Sequence, residues 1–219
     1  MKTITKDELL FFVREGTLDE FVVNENCYRK ISTSSEDIWL DAGGNIGAFA
    51  CKYANKVCKI ISYEPEVENF RILKQNLSAN NITNVEIYNK ALVSSNAQRI
   101  SFYLNVKKNK GSHTLIQKRG RDKIIVQCDN IANAISTHNI SCIKMDIEGA
   151  EYDIIKKLNL VVLSSIKEMI IEYHFSVLKD KDKKMFDETI MKLKSAFINV
   201  DYKRNIGGDW TTIIYCSNR

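Results

Sequence analysis

From residue 36 onward, short apolar runs alternate with stretches whose apolar residues recur every three or four positions. Asp37 to Asp41 reads as a strand ending in an acid, and Ile46 to Ala54 as a helix with a small-residue face. Val57 to Tyr63 is a second strand. Glu66 to Asn80 is a second helix, with Val67, Phe70, Leu73 and Leu77 along one side. Val85 to Tyr88 is a third strand. The rhythm then changes: Arg99 to Leu104 and Lys123 to Gln127 predict strands flanking a basic segment, a β insertion over 98–128. Alternation resumes with Asn130 to Ser136 as helix, Ile140 to Met145 as strand, Glu151 to Leu158 as helix and Ile166 to Tyr173 as strand. Phe186, Ile190, Leu193 and Phe197 mark a helix over Lys184 to Phe197, and the tail reads as two strands around Gly207-Gly208, an antiparallel hairpin.

Strands alternating with helices predict an α/β fold: a mostly parallel sheet covered on both faces, with the hairpin as an antiparallel edge. Residues 1–35, a helix near Lys6 to Arg14 followed by Phe21 to Ile31, read as a cap on that sheet. No repeat, linker or low-complexity tract interrupts the chain, so residues 1–219 are expected to form one domain.

Composition narrows the picture. A chain of 219 residues that is 44% hydrophobic can bury a full core. No apolar run approaches a membrane span, and the charged start does not suit a signal peptide, so a cytoplasmic location is expected. The six cysteines form no CxxC pair and read as buried thiols in a reducing compartment. Three Asn-x-Ser/Thr sequons, at Asn76, Asn81 and Asn139, weigh little without an export signal. The net charge of +5 is mild, but Lys107, Lys108, Lys110, Lys118, Arg119, Arg121 and Lys123 crowd one segment. That segment is either a solvated loop or a rim for an anionic or polyhydroxylated partner.

The first strand ends in LDAGGNIGAFA, placing Gly43, Gly44 and Gly47 where backbone must approach a ligand closely. The second ends in SYEPEV, with Glu64 23 residues after Asp41, the length of one strand-helix-strand unit. Glu64 can therefore reach the hydroxyls of a ribose over the glycine loop, and Pro65 suits the start of the following helix. The loop lacks G-x-G-x-x-G, and Asp41 would repel a pyrophosphate but suit an ammonium. S-adenosylmethionine thus fits better than a dinucleotide, with S-adenosylhomocysteine as the product. A second acidic turn, KMDIEGAE, carries Asp146, Glu148 and Glu151 within six residues.

DAGGNIG, YEP and KMDIEGAE, in this order and spacing, resemble the FkbM family of S-adenosylmethionine-dependent methyltransferases over roughly residues 22–175. The resemblance implies the class I, Rossmann-like methyltransferase fold, with seven strands and a reversed last strand. It also implies methylation of a hydroxyl, on a sugar or polyketide in typical members. Carried over by residue, it implies that Asp41, Gly43, Asn45 and Gly47 line the methionine side. Glu64 would hold the ribose, Pro65 shape the adenine edge and Asn89 sit near the adenine. Asp146 would stand beside the reacting methyl, with Glu148 close by. Gly44 replaces the family's more frequent alanine. Gly111-Ser112-His113-Thr114 loosely resembles the family's serine-bearing loop, which implies substrate contacts at Ser112 and His113.

A hydroxyl is a weak nucleophile at neutral pH and needs a base or a metal. Asp146, Glu148, Glu151, Glu172 and His174 are the candidate bases, the last two ending the strand beside that of Asp146. Glu151 reads more simply as a favourable charge in a first helical turn. Mg²⁺ on the same carboxylates is the lesser alternative, and no metal ligand is assigned. The expected acceptor is a small molecule or glycan. The rivals are an RNA ribose methyltransferase, suggested by the basic segment and the asparagines ending the Glu66 to Asn80 helix, and a non-catalytic domain retaining the fold.

Overall fold

The computed structural model describes residues 1–25, 28, 30–105, 114, 122–175, 179–204 and 211–219. The chain opens with β1 (Lys2–Lys6), β2 (Leu9–Val13) and α1 (Asp19–Asn24). Alternation follows: β3 (Ile38–Ala42), α2 (Ala48–Tyr53), β4 (Lys59–Tyr63), α3 (Val67–Ala79) and β5 (Val85–Tyr88). Next come β6 (Ala91–Val93), β7 (Arg99–Leu104), β8 (Asp122–Asn130) and α4 (Ile131–His138). The last part holds β9 (Cys142–Met145), α5 (Glu151–Lys157), α6 (Leu160–Ser165), β10 (Glu168–His174), α7 (Lys179–Ala196), β11 (Asn199–Arg204) and β12 (Thr211–Ser217).

Seven strands form the main sheet in the order β11-β12-β10-β9-β3-β4-β5. All run parallel except β12, which is antiparallel to both neighbours. The reversed strand therefore lies inside the sheet, and β11 forms the edge that the sequence reading gave to the hairpin. Its turn, with Gly207-Gly208, lies outside the described residues. Leu40, Ile60, Ile61, Ile143, Met145, Ile170 and Ile171 are fully buried, as strands covered on both faces must be. One core packs under α4 to α7, through Ile135, Ile154, Leu163 and Leu193. The other lies beneath α2, α3 and the N-terminal strands, through Phe49, Leu73, Phe11 and Val13. The expected strands near Arg99 to Leu104 and Lys123 to Gln127 are β7 and β8, and with β6 they make a small sheet around Phe102 and Val126.

The expected helix over Lys6 to Arg14 is instead a β-hairpin. Asp7 and Glu8 take left-handed φ of 51° and 66°, a two-residue turn that pairs Lys6 with Leu9. The run LLFFV is apolar throughout, so its periodicity did not separate helix from strand. Asn76 of α3 and Asn80, which caps its end, complete the free edge of β2. Asn76 Oδ1 accepts from the Phe12 N–H (2.7 Å) and Asn80 Oδ1 from the Leu10 N–H (2.8 Å), while Asn80 Nδ2 donates to the Leu10 carbonyl. These asparagines hold the cap and explain the helix ending without RNA. Asn81 and Asn139, the other sequon residues, take left-handed φ just past α3 and α4 and stop those helices.

Cys51, Cys128, Cys142 and Cys216 are buried free thiols as expected, whereas Cys58 is exposed just before β4, and Cys27 lies outside the described residues. No helix among the described residues is long and apolar enough to cross a membrane.

Candidate active site

From β3 the chain builds β4 and β5 on one side, then crosses to build β9 and β10 on the other. The turns after β3 and β9 therefore face each other across a topological switch point, where open α/β sheets bind ligands. Gly43 has φ 87°, and a Cβ there would lie 1.8 Å from the Asp146 carbonyl oxygen. Glycine is what lets the two turns close on each other. The N–H groups of Gly43 and Gly44 both donate to the Tyr63 carbonyl, at 3.0 and 2.9 Å, tying the loop to the end of β4. Gly47, also at φ 87°, begins α2. A Cβ on Gly44 would fall 2.3 Å from Ser62 Oγ and 2.8 Å from Leu73 Cδ1, so Ser62 and Leu73 fill the space that an alanine would need.

A cavity of about 160 Å³ opens over these turns, lined by Gly43, Asn45, Glu64 and Pro65 and also by Asp146, Glu148 and Glu172. Glu64 is 5% exposed. It accepts the N–H of Asn45 and of Glu66, both at 2.8 Å, yet burial pushes its carboxyl up to about 7. Asn45 takes φ 48°, and its buried Oδ1 has no hydrogen-bond partner. Two expected cofactor contacts are not supported. Asp41 is fully buried and outside the cavity lining; Ser62 Oγ donates to its Oδ2 (2.9 Å) and Lys144 Nζ lies 3.1 Å from its Oδ1. Its carboxylate is thus committed within the sheet. Asn89 also lies outside the lining, and its amide donates to the carbonyls of Glu64 and Pro65 at 2.9 and 3.2 Å. It positions the Glu64 turn.

On the other side, four carboxylates surround His174. Its Nδ1 is 3.0 Å from Glu151 Oε1, and its Nε2 is 3.7 Å from Glu148, 3.9 Å from Asp146 and 3.9 Å from Glu172. Burial opposes the imidazolium, but Glu151, Glu148 and Asp146 outweigh it and hold the His174 pKa well above the usual histidine range. Burial, then the charge of Asp146, pushes Glu172 up to about 8. Glu151 is 1% exposed, and the charge and hydrogen bond of His174 outweigh its burial and lower its pKa. Its carboxylate also accepts the N–H groups of Ile147 and Gly149, both at 3.1 Å. Glu151 does sit in a first helical turn, but it also fixes the acidic turn and orients the histidine. Glu148, at φ 57°, is held in a region that non-glycine residues rarely adopt. Ligand atoms of Asp146, Glu148 and His174 lie within 4.8 Å of one another, close enough to share a metal ion.

Ser112, His113 and the basic residues 107–121 lie outside the described residues. Thr114, beside them, is fully buried and donates through Oγ1 to the Glu148 carbonyl, anchoring the insertion at the acidic turn. Sequence reading missed the cavity-facing Phe21 and Val22 of α1, Phe102 of β7, and the buried Lys144. Only Lys144 carried a signal: a lysine within an apolar strand.

The family profile "Methyltransferase FkbM domain" matches residues 41–199. Methyltransferase sdnD of Sordaria araneosa is 23% identical over 203 residues, covering 77% of this chain and 76% of its own. The structure of methyltransferase FkbM from Methylobacillus flagellatus KT superposes with a TM-score of 0.54 at 16% identity; the match spans 86% of this chain and 45% of that one. An rRNA methylase from Streptococcus thermophilus gives 0.53 at 12% identity, over 90% and 92% of the two chains. M. jannaschii TYW2, solved in complex with AdoMet, gives 0.50 at 11% identity, over 98% and 84%. At these identities the structures establish a shared class I methyltransferase fold. With the profile matching well over half of the chain and covering both the glycine turn and the acidic turn, this chain belongs to the FkbM family of S-adenosylmethionine-dependent methyltransferases.

Proposed function

We propose that this protein transfers the methyl group of S-adenosylmethionine to a hydroxyl oxygen of a small-molecule or glycan acceptor, with His174 as the general base. One observation carries this reading: a single cavity is lined by Glu64 and Asn45 and by Asp146, Glu148 and Glu172, with His174 behind the acids. The residues present suit the cofactor. The Glu64 carboxylate has lone pairs left for ribose hydroxyls, and the cavity-lining Asn45 carries an unpaired acceptor at Oδ1. When bound, S-adenosylmethionine supplies an electrophilic methyl on its sulfonium.

The protein's own part is positioning and proton removal. Nδ1–H of His174 donates to Glu151, which leaves Nε2, 3.7–3.9 Å from the cavity-lining Glu148, Asp146 and Glu172, as the base for the acceptor's hydroxyl proton. Because the surrounding carboxylates hold the His174 pKa well above the usual histidine range, turnover should climb as pH rises through that raised value. Glu151→Gln should move that rising limb to lower pH, since it removes the charge that stabilises the imidazolium. His174→Ala should lower kcat by about 10²- to 10⁴-fold.

The experiment is transfer of a tritiated methyl group to panels of glycans, polyols and RNA, with and without EDTA. Transfer to a hydroxyl that survives EDTA supports the proposal. Transfer to RNA alone would overturn the acceptor class. Loss in EDTA with recovery on Mg²⁺ would replace the histidine base by a cation on Asp146, Glu148 and His174.

A further inference from the structure

Lys144 lies in the middle of the sheet with its side chain only 4% exposed. The strand register sets it directly beside Asp41, which is itself directly beside Ser62, giving a polar row across β9, β3 and β4. Burying a lysine costs free energy unless its charge is paired, and an apolar pair would stabilise the sheet equally well. The row therefore calls for a reason beyond stability.

The ammonium supplies that reason by where its hydrogens go. It donates to the Gly43 carbonyl at 2.6 Å, in the turn after β3. It lies 3.1 Å from Asp41 Oδ1 and 3.8 Å from Asp146 Oδ2, in the turn after β9. The Tyr28 hydroxyl reaches the same Oδ2 at 3.4 Å, and Lys144 Nζ sits 5.8 Å from the centre of the Tyr28 ring. Asp146 Oδ2 is thus held from two directions, while Oδ1 is the atom turned toward His174 Nε2.

We propose that Lys144 is a positioning residue for methyl transfer: from its ion pair with Asp41 it ties the Gly43 carbonyl to Asp146, fixing the donor turn against the acceptor turn. The proposal rests on the methyl-transfer reading of the crevice. Asp41 serves as the counter-charge that lets the lysine stay buried.

The test uses Asp41→Asn/Lys144→Met, because Lys144→Met alone leaves Asp41 buried and unpaired. The double variant should unfold cooperatively and bind S-adenosylmethionine within about threefold of wild type by calorimetry, since Asp41 lines neither pocket at the turns and Lys144 only the smaller one, outside the cavity that holds Glu64. Its acceptor KM should stay within about threefold while kcat falls roughly 10²-fold, as for a small misplacement of a catalytic group. Amide hydrogen exchange should speed up at 43–47 and 146–149 but not in the flanking strands. Unchanged exchange, unchanged kcat, or cofactor affinity falling in step with kcat would each overturn the proposal. A wild-type protein that methylates no hydroxyl would sink the parent reading alone, and the exchange experiment would still decide whether Lys144 braces the two turns.

Discussion

Glu64 holds its carboxylate on two backbone N–H groups, yet burial keeps its pKa at about 7 rather than in the usual carboxylate range. Ribose hydroxyls donate to the charged form, so cofactor binding releases the proton that Glu64 holds below neutrality. Affinity for S-adenosylmethionine should therefore rise from about pH 6 to about pH 8. Glu64→Ala should cost roughly 1.5–3 kcal/mol of binding, the range for a hydrogen bond to a charged group. Glu64→Gln should flatten the pH dependence in calorimetric titrations; a slope equal to wild type would show that another group controls it. The position and type of this residue were legible in the chain, because an acid one strand-helix-strand unit beyond a glycine turn has a defined reach. Asp41 shows the limit of that argument. Its place at a strand end suggested a ligand contact, but which way its side chain turned depended on Lys144, about a hundred residues later.

Among the elements, the N-terminal hairpin shows how a strand pair outside the main sheet is secured. Its inner edge is completed by side-chain amides one helical turn apart, on α3 and at its C-cap. Asn76 is fully buried and also donates to the Ile46 carbonyl at 2.8 Å, so one amide joins the hairpin, α3 and the segment entering α2. Asn76→Ala should leave a part-buried N–H at Phe12 without its acceptor and cost about 1–3 kcal/mol in denaturant unfolding. Asn76→Asp keeps the acceptor and loses the donor, so it should recover only part. An unperturbed midpoint in Asn76→Ala would mean that the hairpin is held by its apolar face alone. None of this was visible in one dimension: the helix was clear from its spacing, but the partner of its asparagines lies 64 residues away. The same holds for α1, whose Phe21 and Val22 read as ordinary apolar residues until the fold set them against the cavity.

For the whole molecule, the crevice sets a pH profile of stability. Glu64, Glu172 and His174 all have folded pKa values above their usual ranges. Each contributes stability that is complete below its unfolded pKa and lost as pH rises through its folded one. Asp37, paired with Arg219 and Lys167, and Glu151, paired with His174, are lowered and act oppositely, losing their contribution only in acid. The ligand-free protein should therefore be most stable near about pH 5, with Tm declining toward about pH 9. Glu172→Gln should reduce that decline; a wild-type Tm that rises from pH 5 to 8 would contradict it. The alternation of strands and helices, the glycine turn, the position of Glu64 and the acidic turn were all legible in the chain, because local periodicity and turn chemistry reveal them. The reversed strand's place inside the sheet, the commitment of Asp41 to Lys144, and the union of Glu151 with His174 were not. Each depends on residues brought together by strand order, and pairing across a sheet leaves no mark on local sequence spacing.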